Sequence, residues 1–169
     1  MSLVIPADFI GEQNIPNVDE PSVLERVQWC IDEYEPMLLE ALFGSVLYAD
    51  YTAGILLDPI PQKWIDLQAK VKRPIICFVY YYYMNDNISY NSGVGNVKAK
   101  TENATSVSSW DKMIKSWNTM VRLNGKVREF LSEGDYETNF TDLPQYVWEL
   151  PFVNHCRPSI FVYQNSLNI

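Results

Sequence analysis

From residue 21 onward, Val23, Leu24, Val27, Cys30, Ile31, Tyr34, Leu38, Ala41 and Leu42 recur at intervals of three and four. That is the period of one buried helical face. The pattern opens near Glu20 or Pro21, where a proline's missing N–H costs nothing and nearby acidic residues suit the N-terminal dipole. Pro36 lies inside it and is expected to kink or divide the helix, and Gly44 is placed to end it. Residues 45–57 form a second helical candidate through Leu47, Tyr48, Tyr51 and Ile55, before Asp58-Pro59-Ile60-Pro61 breaks the chain. A short helix over Gln62–Lys70 follows, offering Trp64, Ile65 and Leu67 for packing.

The run from Ile75 to Met84 lacks alternation and is rich in Ile, Val, Phe and Tyr. It suits a buried strand by propensity and a buried helix by length. Arg73-Pro74 as an opening and the helical patterns on both sides favour the helix. Tyr80–Tyr83 cannot all face a core, so some hydroxyls should reach solvent, a backbone group or a neighbouring molecule. From Tyr90 to Thr105, turn formers and two glycines around Val94 predict a loop or β-hairpin excursion. Residues 106–133 predict a second long helix, capped by Ser106, Ser108 or Ser109. Trp110, Met113, Ile114, Trp117, Met120, Val121, Val127, Phe130 and Leu131 share a face; Lys112, Lys115, Arg122, Lys126 and Arg128 lie largely off it, and Gly125 is a weak point.

The two ends follow no helical period. Residues 1–19 read as an extended arm that either docks or dangles. After Gly134, prolines at 144, 151 and 158 and many aromatics predict an irregular tail with one strand candidate, Ser159–Tyr163. Such a tail is expected to lie on a surface, of its own domain or of another subunit. The fold class is therefore mainly α: a small helical bundle with an inserted loop or β-hairpin and an irregular aromatic C-terminal tail. It divides into an arm (1–19), a helical domain (20–133) and a tail (134–169).

At 169 residues and 47% hydrophobic content, the chain is expected to form one ordered domain. No apolar run reaches the roughly 18 to 20 residues of a membrane span. The N-terminus lacks the basic and long apolar regions of a secretory signal, which predicts synthesis in a cytoplasm and makes the sequons at Asn87, Asn103 and Asn139 irrelevant. Cys30, Cys77 and Cys156 are odd in number and far apart, so buried free thiols are expected rather than disulfides or a zinc site.

The net charge of -8 argues against duplex DNA as the main partner. Residues 1–60 carry eleven acidic and one basic residue, residues 61–131 five and eleven, and residues 132–169 five and one. Such segregation lets the parts fold against each other, or lets an acidic face meet the basic face of another copy. Ordinary solvated faces are the bland alternative.

Catalytic chemistry finds little support. His155 is the sole histidine and neighbours Cys156, and adjacent residues do not normally supply nucleophile and base to one reacting atom. Asp32, Glu33 and Glu35 read with Glu25 and Glu40 as a solvated helix side, and Asp50 as a hydrogen-bonded helix residue. Gly93-x-Gly95 lacks the third glycine, the preceding strand and the following helix of a dinucleotide fingerprint. Lys98 and Lys100 beside tyrosines are too few to carry single-stranded nucleic acid. No enzyme activity, cofactor, metal or membrane partner is predicted, and no specific nucleic acid.

Taken in order, the chain has Phe43, Gly44, Leu47 and Tyr48 as FG-x-x-LY at a helix end, then FVYYYYMND, then the loop SGVGNVKAKTENAT, then a helix opened by SSWDKMIKSWN. In this layout, over roughly residues 20–133, it resembles the head-tail connector, or adaptor, proteins of tailed bacteriophages and prophages, particularly those of Bacteroides-like hosts. The resemblance implies a structural virion protein at the head-tail junction: a helical subunit forming a homo-oligomeric ring on the portal and meeting tail-completion proteins. It implies that the loop residues Gly93, Val94, Gly95, Asn96, Val97, Lys98 and Lys100 touch a neighbouring subunit or the portal. Tyr146, Trp148, Phe152, Phe161 and Tyr163 of the tail would dock on an adjoining ring. The shorter adaptors have no clear counterpart to the tail. The alternative is a small acidic accessory or inhibitor protein that binds a host protein.

Overall fold

In the computed structural model the described residues are 2–88, 90–92, 95–97, 109–134 and 136, with 88, 90–92, 95–97 and 109 described by backbone alone. Three long helices dominate them: α1 (Pro21–Gly54), α2 (Gln62–Ile88) and α3 (Ser109–Glu133). The mainly helical class expected from the periodicity is what the chain adopts. None of these helices is long and apolar enough to cross a membrane.

The interruption in α1 lies at Gly44, where φ is 72° and ψ is 164°, outside any helical conformation. Pro36 stays within helical backbone, contrary to its expected role as the divider. Only glycine adopts the Gly44 geometry without strain, so the break has a local cause. Each half then buries its own face, Val27, Cys30, Ile31, Leu38, Leu39, Leu42 and Phe43 before or at the break and Leu47, Tyr51 and Gly54 after it.

A single helix spans Gln62–Ile88, where the sequence suggested a short helix over Gln62–Lys70 and a separate helix opened by Arg73-Pro74. Pro74 sits inside it at a cost of about 3 kcal/mol. Burial offsets that cost: Ile75, Cys77, Phe78 and Val79 are all completely inaccessible, the Ile, Phe and Val side chains contributing roughly 1.5–3 kcal/mol each. Burial also explains helix over strand. A deeply buried backbone must satisfy every N–H and C=O, which a helix does internally and a strand does only with partners at its edges.

α2 packs against both α1 and α3. From α3, Met113, Ile114, Trp117, Met120, Val127 and Leu131 enter the core, while Lys112, Lys115, Arg122 and Lys126 remain exposed, as the face assignment required. Ser116 is also buried, and its hydroxyl donates to the Cys77 carbonyl at 2.9 Å, joining α3 to the middle of α2. Between α2 and α3 the backbone of Tyr90–Ser92 runs antiparallel to Gly95–Val97, with Tyr90 opposite Val97; the rest of that connection lies outside the described residues.

The arm docks. It forms two short 3-10 turns, Pro6–Asp8 and Gly11–Gln13, and places Val4, Phe9 and Ile15 in the same core as the helices. Asp8 pairs with Lys72 of α2 at 2.9 Å and Glu12 with Lys115 of α3 at 2.6 Å. Part of the charge segregation is thus resolved within one chain, acidic arm against basic α2 and α3.

Candidate functional site

The loop expected to make contacts leaves the end of α2, and its root is held from α1. Arg26 donates to the Asp86 carbonyl at 3.2 Å, and the Asn87 side chain donates to the Tyr83 carbonyl at 2.7 Å. An aromatic group supports this end: Tyr34 stacks on Tyr82 with centroids 4.2 Å apart and planes at 14°, and Phe78 meets Tyr82 edge-on at 4.9 Å. Tyr81 lies 4.8 Å from Trp117. The tyrosine run is therefore divided by the helical turn, Tyr80 and Tyr81 buried, Tyr82 and Tyr83 half-buried.

Burial dominates the chemistry of this group. It pushes the Tyr34 hydroxyl up to about 12, with the Asp86 charge adding to the effect, and the Cys30 thiol up to about 11. Cys77 is raised by the same cause. Both thiols are free and buried, and a buried thiol held above its ordinary range is a poor nucleophile. Among the described residues no group of three or more His, Cys, Asp or Glu side chains is arranged to hold a metal ion.

Of the predicted contact residues, Gly95, Asn96 and Val97 form the second strand of the small ladder. Gly93, Val94, Lys98 and Lys100 lie outside the described residues, as do Tyr146, Trp148, Phe152, Phe161 and Tyr163 of the tail. His155, Cys156 and the strand candidate Ser159–Tyr163 fall there too, with the residues Ser106 and Ser108 proposed as caps.

One sequence-based assignment needs correcting. Glu35 does not belong to a solvated side; it is only 6% exposed. Its two carboxylate oxygens accept the Leu3 N–H at 2.8 Å and the Val4 N–H at 3.2 Å. Desolvation raises its pKa, and the two backbone donors pull it partly back. Glu35 is thus the fastening point of the arm. Asp32 does stay at the surface, accepting from Ser2 and Gln28.

A second surface escaped the sequence reading. Where α1 hands over to α2, Leu56, Leu57, Ile60 and Ile65 are exposed. Two adjacent leucines before Asp58-Pro59 were the available signal, since a turn leaves no helical face to bury them. Beside them the chain returns from α3: the Tyr136 hydroxyl donates to the Lys63 carbonyl at 3.0 Å, and its ring lies 6.2 Å from Trp64 and 5.7 Å from Phe130.

Comparison of the chain with models of protein families, with curated proteins and with solved structures finds no match.

Proposed function

We propose that the protein is a structural subunit of a phage head-tail connector, assembling as a ring on a portal and receiving tail-completion proteins. The observation that carries the reading is the order of motifs in the chain. FG-x-x-LY falls where α1 breaks at Gly44, FVYYYYMND runs from the buried middle of α2 to its half-buried end, and SGVGNVKAKTENAT joins α2 to the long basic α3. A helical body with a firmly rooted connection between two long helices suits a subunit whose loops meet its neighbours. A closed ring joins two different faces of each copy, and weak interfaces of this kind strengthen when a template holds the copies together.

The test is mass measurement in solution, followed by electron microscopy of the protein mixed with the portal encoded nearest to it. Rings seated on the portal are expected. Failure both to form rings and to bind any portal or tail component ends the proposal. Deleting Ser92–Lys100 and closing the gap with a short turn is expected to leave thermal unfolding nearly unchanged while abolishing assembly. A collapse of stability instead would assign the loop to the core.

A further inference from the structure

The N-terminal arm is a self-contained piece in a seat built by all three helices. Its backbone bonds close within itself: the Asp8 N–H donates to the Ile5 carbonyl, Phe9 to Pro6 and Asn14 to Gly11. Among the described residues no backbone–backbone hydrogen bond ties residues 2–16 to a helix. The seat holds the arm by side chains instead, through Glu35 of α1, Lys72 of α2 and Lys115 of α3, and through the pockets that bury Val4, Phe9 and Ile15. What joins the arm to α1 bends at one residue. Asn14 and Glu20 are extended, with ψ of 129° and 131°, and Ile15 and Glu20 each precede a proline, which keeps them so. Between them Asn17 has φ of 57°, the only positive φ on a non-glycine among the described residues. A left-handed residue other than glycine carries backbone strain, and a single bond, Glu20 N–H to the Asn17 carbonyl at 2.9 Å, closes the turn.

We propose that the arm is exchangeable, and that a second copy of this chain is its partner: Asn17 straightens, and residues 2–16 of one copy fill the seat of another. An arm that simply lifted away would leave Val4, Phe9 and Ile15 in water and the Glu35 carboxylate without its donors, each a loss of free energy. An identical seat restores every one of these contacts, so the two arrangements differ only at the hinge, where straightening relieves the left-handed residue. Exchange of an identical element is a low-barrier route to association, and short strained hinges invite it. Residues 2–17 span at most about 55 Å when extended, enough to cross to a copy packed alongside. Tethering gives the arm an effective concentration on the order of millimolar for its own seat, so exchange belongs to copies that are crowded or held together. The assignment does not rest on the connector reading: exchange without portal binding, or portal binding without exchange, separates the two.

The test uses two versions of the full-length chain, both with Cys156→Ser, so that the remaining natural thiols, Cys30 and Cys77, are buried. One carries Ser2→Cys; the other carries Asp32→Cys and a mass tag. The Ser2 hydroxyl lies 3.2 Å from the Asp32 carboxylate, so these positions meet across the seat, and neither chain can join them within itself. The two are unfolded together in urea, refolded at micromolar and at near-millimolar concentration, and treated with a short bifunctional thiol reagent. A product joining position 2 of one chain to position 32 of the other is expected, rising at least several-fold with concentration. It should exceed several-fold the product of a reference mixture whose tagged chain carries Gln62→Cys, at the start of α2, instead. Asn17→Val disfavours positive φ and is expected to raise the yield several-fold; Asn17→Gly adopts it freely and is expected to lower the yield several-fold, with the helical circular dichroism signal retained in both. Absence of the product at near-millimolar concentration overturns the proposal, as does a yield no higher than the reference or equal yields from the two hinge variants.

Discussion

Glu35 shows how one side chain fastens a whole segment. Its neighbours in the pattern are Ile31, four residues before, and Leu38 and Leu39, three and four after, all buried; a carboxylate on that stripe could only be accommodated with donors. The Leu3 and Val4 N–H groups supply them. Truncation by Glu35→Ala leaves these donors without acceptors, and a loss of about 1–3 kcal/mol is expected, measurable by urea denaturation. Titration adds a sharper expectation. The folded-state pKa of Glu35 is raised, so the native state holds the proton more tightly than the unfolded chain does. Its contribution is fully present below the ordinary carboxylate range and declines as pH rises through the raised value. Glu35→Gln does not titrate. The stability of the natural protein minus that of this variant should therefore fall as pH rises above the ordinary glutamate range; a difference that stays constant or rises in unfolding curves would contradict the assignment.

At the level of elements, two glycines in helices have opposite roles. Gly44, with φ of 72° and ψ of 164°, holds a conformation closed to other residues, and Gly44→Ala is expected to cost about 1–3 kcal/mol. Gly125 lies inside α3, and a methyl group built there meets nothing within 4 Å. Gly125→Ala should therefore stabilise by roughly 0.5–1 kcal/mol through helix propensity and a restricted unfolded state. Paired thermal melts of the two variants check both signs at once. The same scale shows why the helix faces were legible and the joins were not. Met113, Trp117, Met120 and Val127 announce their face through spacing alone. Pro36 and Pro74 carry the standard breaker signal, yet helix continues through both, because the tertiary packing on either side outweighs the local cost.

For the whole molecule, the arm is part of the core. Val4, Phe9 and Ile15 are buried to 2% exposure or less, and at roughly 1.5–3 kcal/mol each they contribute on the scale of a domain's entire net stability of about 5–15 kcal/mol. Deleting residues 2–19 is expected to lower the melting temperature by more than about 10 °C, using the usual conversion for a chain of this size, or to abolish the cooperative transition. A melt within a few degrees of the full chain would mean that the helices bury their core unaided. The ion pairs Asp8–Lys72 and Glu12–Lys115 contribute far less, since pairs at the surface are screened by solvent and weaken with salt. Their visible role is register: they set acidic arm against basic helices.

By itself the sequence determined the helical class, the buried faces of α3 and, Leu24 excepted because it is exposed, of α1, the break at Gly44 and the buried free state of Cys30 and Cys77. These follow from periodicity and from the conformational limits of single residues, which act over a few positions. Tertiary structure alone decided that helix runs unbroken from Gln62 to Ile88, that Pro74 is absorbed, that Glu35 is buried and that the arm docks. Each depends on what lies across the core. The α2 backbone needs hydrogen bonds that burial denies to a lone strand, and the Glu35 carboxylate tolerates burial because two N–H groups more than thirty residues away in sequence are held against it.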